Sequence, residues 1–141
     1  MIHLDEHYWR PGWTEPPPDD WRSLQQQLTS GDRWVIDGTY GGTFDVRFAA
    51  ADTVIVLAPP RLRCVLGALH RVLTNHGRPT QAPGCPERFD LAFLRWIWRY
   101  PNDSRPRLDR ALARHGAQLR VVELRSRRDA ADWLDRLKPP R

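Results

Sequence analysis

The chain has 141 residues, is 40% apolar and carries a formal net charge of +5, with arginine supplying all but one of its 22 basic side chains. That size implies one domain, residues 1–141, with enough apolar content for a real core; its longest apolar run, Thr53 to Pro60, falls far short of the roughly 20 residues that cross a bilayer. The acidic start MIHLDEHYW does not resemble a secretory leader, and the two cysteines, Cys64 and Cys85, read as reduced thiols of a cytoplasmic protein.

Ile2 to Leu4 reads as a short buried strand, followed by a loop at Arg10 to Pro18 set by Pro11, Gly12 and three consecutive prolines. Asp19 or Asp20 then caps a helix on which Trp21, Leu24 and Leu28 recur at helical spacing, and Gly31 ends it. A second strand, Arg33 to Asp37, runs into the loop Gly38 to Gly42 and a short helix at Phe44 to Ala50; a third strand, Thr53 to Leu57, follows at once. Leu62, Val65, Leu66, Leu69, Val72 and Leu73 give an apolar stripe for a helix over Arg61 to Thr74. Residues 75–88 form a lid-like segment in which Asn75 to Pro86, rich in Gly and Pro, predicts neither helix nor strand but a mobile flap. A helix carrying Phe89, Phe93, Leu94, Ile97 and Trp98 is expected next, with a break at Pro101. Another helix is capped by Ser104 with Pro106 in its first turn. A last strand, Leu119 to Leu124, leads to a capping box of Ser126 and Asp129 and a final helix burying Ala130, Trp133, Leu134 and Leu137. Strands alternating with helices predict an α/β fold with a parallel sheet and flanking helices.

In such a sheet ligands bind beyond the carboxyl ends of the strands, where Asp5, Asp37 and the corner Pro59-Pro60-Arg61 fall. An acid closing an apolar strand beside a phosphate loop holds magnesium, usually through water, in P-loop phosphotransferases. Asp37 also suits a plain Asp-Gly turn with Gly38, so the residue alone leaves both roles open. Guanidinium groups clamp phosphates bidentately. Arg107, Arg110 and Arg114 fall on one helical face and could track nucleic-acid phosphates, but Asp103 and Asp109 interrupt the field, no helix-turn-helix accompanies them, and a solvated helix face is the better explanation. Cys64, His70, His76 and Cys85 are the ligands available for zinc, without a CxxC pair. Trp96, Trp98 and Tyr100 could stack a base, although packing of their helix against the sheet accounts for them more simply.

The segments IHLDEHYWRPGW, DRWVIDGTYGGTFDVRFAAADTVIVLAPPRLRC and APGCPERFDLAFLRWIWRYP, in this order and spacing, resemble the bacterial DNA topology modulation proteins, small P-loop kinase-like proteins of the adenylate and shikimate kinase type. The resemblance implies a three-layer nucleotide-kinase architecture and ATP- and magnesium-dependent phosphoryl transfer to a nucleotide or another small phosphate acceptor. It places Asp5 and Tyr8 on the acceptor wall, Asp37 beside the magnesium through water, and Gly38 where the acceptor approaches the backbone. It makes Arg61 to Arg88 the lid, with Arg71 and Arg78 reaching the transferring phosphoryl group and Arg88 contacting substrate. Gly67, Thr74 and His76 stand where the family helix carries cations. The family name also admits a non-catalytic nucleic-acid-binding or regulatory module.

Family members begin with a strand and a GxxGxGKS-type loop that cradles the donor phosphates. The chain has no such motif, and its one lysine is Lys138. By the resemblance the missing strand is the central one, between the strands ending at Asp37 and Leu57, and without it this chain alone is expected to be inactive. Each buried backbone group left unpaired costs on the order of 1–3 kcal/mol. The neighbouring strands are therefore expected either to close up and pair directly or to leave the chain poorly folded. The simpler expectation is that Met1 is an internal methionine taken as the start, the natural protein being longer by roughly one strand, loop and helix.

Overall fold

A computed structural model describes residues 1–138. Four short strands and seven α-helices alternate along the chain: β1 (Ile2–His3), α1 (Leu4–Tyr8), α2 (Pro18–Leu28), β2 (Ile36–Asp37), α3 (Phe44–Ala50), β3 (Thr53–Leu57), α4 (Arg61–Asn75), α5 (Leu91–Asp103), α6 (Arg105–His115), β4 (Arg120–Leu124) and α7 (Arg127–Leu137). The α/β class expected from the alternation holds. The strands pair in parallel as expected, but in two separate ladders: β1 pairs only with β2, and β3 only with β4.

β2 and β3, the neighbours of the expected gap, are not hydrogen-bonded to each other. The chain has instead packed around two separate ladders. Along β3 the side chains alternate: Val54 and Val56 turn into the core with Phe44, Phe48, Leu108, Ala111 and Leu119, while Ile55 and Leu57 remain 42% and 71% exposed. In a sheet covered on both faces these two positions would be buried. α3 lies at the centre of the molecule, touching α2 on one side and α6 on the other.

Several element boundaries differ from the sequence reading. Ile2–His3 is shorter than the expected strand, because the chain turns into the five-residue helix α1 at Leu4. The second strand shrinks from Arg33–Asp37 to Ile36–Asp37. α2 starts at Pro18 with Pro17 as its cap and ends at Leu28 before Thr29, so Asp19 and Asp20 sit in its first turn and Gly31 lies beyond it; acids there still complement the helix dipole. α5 runs through Pro101 to Asp103. A proline in the last turn removes only one hydrogen bond, and Ser104 N–H still donates to the Tyr100 carbonyl at 3.0 Å. Ser104 is itself helical, and its side chain caps nothing.

The apolar and aromatic residues of α5 pack against α4 and α6, not onto the sheet as expected, leaving Trp96 and Trp98 43% and 48% exposed. The segment after α4 forms neither helix nor strand, as expected, and is crossed by backbone hydrogen bonds. Gly77 and Glu87 donate to the carbonyls of Glu87 and Arg78 at 2.9 Å each, and Cys85 N–H reaches the Ala82 carbonyl at 3.1 Å.

Candidate functional site

β1 and β2 are in register, His3 opposite Asp37, so both strands deliver their following residues to one edge. His3 Nδ1 lies 3.2 Å from Asp37 Oδ2. The chain after Asp37 then passes close to β1's extension: Gly38 has φ +131°, and a Cβ there would stand 2.8 Å from Leu4 Cβ. Only glycine meets both demands. The close approach seen at Gly38 is thus to Leu4.

The loop beyond Gly38 is held from below. Arg47 is buried on α3 and donates through Nη1 to the Gly38 carbonyl at 2.7 Å, and through Nη2 to the carbonyls of Thr39 and Tyr40 at 2.7 and 3.0 Å. Burial pulls its pKa down to about 10. The Tyr40 hydroxyl in turn donates to Asp5 Oδ1. Burial, and then this bond, push the Tyr40 phenol well above its ordinary range, so it stays a donor. Deeper still, fully buried Gln25 donates to Thr43 Oγ1 at 2.5 Å.

Asp5 thereby receives a hydrogen bond from the β2 side of the edge, and the lid supplies one from the other side. With the Gln81 amide oriented to satisfy both neighbours, its nitrogen donates to Asp5 Oδ2 at 3.0 Å and its oxygen accepts from Arg71 Nη1 at 3.3 Å. Arg71 Nε also lies 3.0 Å from Oε1 of Glu87, a carboxylate only 3% exposed, without the alignment of a hydrogen bond. Thr80 donates to the same Oε1 at 2.5 Å.

Of the residues singled out from the sequence, Asp5, Asp37, Gly38 and Arg71 therefore gather around one edge. Tyr8 takes part through packing: its ring lies 4.9 Å from Trp21 and 4.6 Å from Tyr40, centroid to centroid. Burial, and then Glu15, raise the pKa of the Tyr8 phenol. Arg78 is exposed and makes no ion pair among the described residues. Arg88 lies over the Trp13 ring at 5.8 Å and 3.9 Å from Asp90, apart from the Asp5 cluster's hydrogen bonds.

Arg47, Tyr40, Gln81 and Glu87 were not singled out from the sequence. Arg47 did leave a signal, since Phe44, Arg47 and Phe48 are spaced i, i+3, i+4 and so share the buried face of α3. Gln81 and Glu87 left none, being placed by an irregular segment.

As a metal site the edge has a sparse donor set. Among the described residues no three His, Cys, Asp or Glu side chains converge as a metal cage. Cys64 Sγ faces the Pro59 carbonyl at 3.7 Å, and buried Cys85 Sγ lies 3.2 Å from the Arg10 carbonyl. Asp37, 63% exposed and engaged by His3 through one oxygen, fits a magnesium ion that keeps most of its waters and takes further ligands from substrate phosphates.

Among curated proteins the chain is similar to the uncharacterized protein YqaC of Bacillus subtilis (strain 168), 26% identical over 116 residues. The match takes in 81% of this chain and 65% of YqaC. No family model matches the chain, and no solved structure does. No helix among the described residues is long and apolar enough to cross a membrane.

Proposed function

We propose that the chain forms the acceptor side of an ATP- and magnesium-dependent phosphotransferase of the small P-loop kinase type, with the donor phosphates held by a strand and glycine-rich loop that are not among these 141 residues. The observation that carries this reading is the hydrogen-bonded chain Tyr40–Asp5–Gln81–Arg71. It joins the carboxyl edge of a parallel strand pair to an arginine of the covering segment, the two parts that phosphoryl transfer must bring together. The split between β2 and β3, and the uncovered Ile55 and Leu57, fit a further strand and helix completing the sheet.

In this reading Asp37 positions the waters of magnesium, which supplies charge neutralisation on the phosphates when bound. Asp5, kept by Tyr40 and Gln81 in one orientation, accepts a hydrogen bond from the acceptor. Arg71 leaves Gln81 to meet the transferring group and Arg78 joins it from the exposed lid, while Arg88 and Tyr8 border the acceptor. Nucleotides and small hydroxylated metabolites both meet these demands.

The test is a comparison of two proteins, the 141-residue chain and the product of the reading frame extended upstream of Met1. The longer protein is expected to bind ATP saturably in a strictly magnesium-dependent way and to consume it with an acceptor, and the shorter to do neither. Tight magnesium-dependent ATP binding by the 141 residues alone, or an in-frame stop codon immediately before Met1, overturns the proposal.

A further inference from the structure

We propose that the concavity between α3 and α6 binds a phosphate group of a small phosphorylated molecule, at a site separate from the Asp5–Asp37 edge. It encloses about 330 Å³ and is lined by Gly41, Gly42, Arg107, Arg110, Arg114 and His115. That volume is at the small end of ligand pockets. It suits a compact phosphorylated molecule, whereas a nucleic-acid backbone is tracked by an extended basic stripe.

The three arginines occupy one face of α6, and like charges three and four residues apart repel. The acids that interleave with them in the sequence do not relieve this. Asp103 is held by Arg99 at 2.8 Å and Asp109 by Arg105 at 2.7 Å. Asp45, the acid that lines the same concavity, is bound by Arg22, which holds its carboxyl below the ordinary range. Among the described residues none of Arg107, Arg110 and Arg114 forms an ion pair, although other arginines of the same helix and its neighbours do. Three arginines without ion-pair partners therefore line a concavity whose carboxylate is already paired. Planar guanidinium forks bind phosphate oxygens bidentately.

The opposite wall adds access. A Cβ at Gly42 would meet nothing within 4 Å. Packing does not require glycine there. Its absence of a side chain keeps the backbone open to an approaching oxyanion.

Calorimetric titration of the 141-residue chain with inorganic tripolyphosphate at low ionic strength tests the site, with pyrophosphate and AMP as further arms that distinguish an inorganic from a nucleotide source. Saturable binding at one site is expected. Arg110→Gln should weaken it about tenfold, the effect of losing one charge-assisted contact, and the pair Arg107→Gln with Arg114→Gln should abolish it. Asp37→Asn should leave it unchanged, which separates this site from the phosphotransferase edge. All three arginines are exposed, and unchanged circular dichroism shows that their variants fold. The proposal is overturned if no saturable binding occurs, if Arg110→Gln binds as tightly as the parent, or if duplex DNA displaces tripolyphosphate with higher affinity and a steep salt dependence.

Discussion

Arg47 shows how a single side chain can set a whole loop. The residue is 6% exposed, has no carboxylate partner among the described residues, and donates through its two Nη nitrogens to the carbonyls of Gly38, Thr39 and Tyr40. The positive charge is tolerated because three carbonyl dipoles point at it and the Phe44 ring lies 5.3 Å away. A lysine has one ammonium and cannot span three carbonyls in this fork geometry. Arg47→Lys is therefore expected to destabilise the chain by about 2 kcal/mol, and Arg47→Ala by about 3 kcal/mol or more, since buried carbonyls lose their donors. Urea denaturation reads both; an Arg47→Lys variant as stable as the parent would show that the loop does not depend on the fork. The position was legible as an inward face of α3, but not as a clamp, because the carbonyls it holds follow from the strained Gly38 turn and not from any residue type.

Among the elements, those with enough length to repeat a period were read closely. α3 and β3 match their expected limits, and α7 begins where Ser126 and Asp129 implied. The Ser126 hydroxyl accepts from Asp129 N–H at 3.1 Å, while Asp129 accepts from Arg125 N–H at 2.9 Å. Replacing Ser126 by alanine removes the cap and should cost about 1 kcal/mol, seen as a lower thermal midpoint; the loss should be confined to α7 in amide exchange. The five-residue helix α1 was not legible. α1 has no apolar repeat in Leu-Asp-Glu-His-Tyr, and its single turn persists because Leu4 is fully buried against Gly38. Tertiary contact made that helix.

At the scale of the molecule, charge pairs join elements that the short ladders do not. Arg105 binds Glu123 at 2.7 Å, tying α6 to β4, and Arg22 binds Asp45, tying α2 to α3. Arg105 and then Arg125 hold the Glu123 carboxyl below its ordinary value of 4.5, and Arg22 does the same for Asp45. A carboxyl whose pKa is depressed in the folded state contributes stability that is complete above its unfolded value and is lost as pH falls through the folded one. The urea midpoint should thus hold from neutrality to about pH 5 and decline below about pH 4. Glu123→Gln should make that decline shallower. An identical acid profile for the variant would assign the loss to other groups.

α3 is the shared piece of this arrangement, with α2 and the Ile2–His3 pair to one side and α6 with the five-residue β3–β4 ladder to the other. Among the described residues no strand passes between the two sides. Cooperativity must therefore travel through helix packing, the Arg47 hydrogen bonds and the charge pairs, and the two ladders become separate units of opening. The β3–β4 unit, whose Val56 joins Leu108, Ala111 and Leu119 in the hydrophobic cluster, is the one that can stay closed while the edge carrying Asp5 and Asp37 breathes.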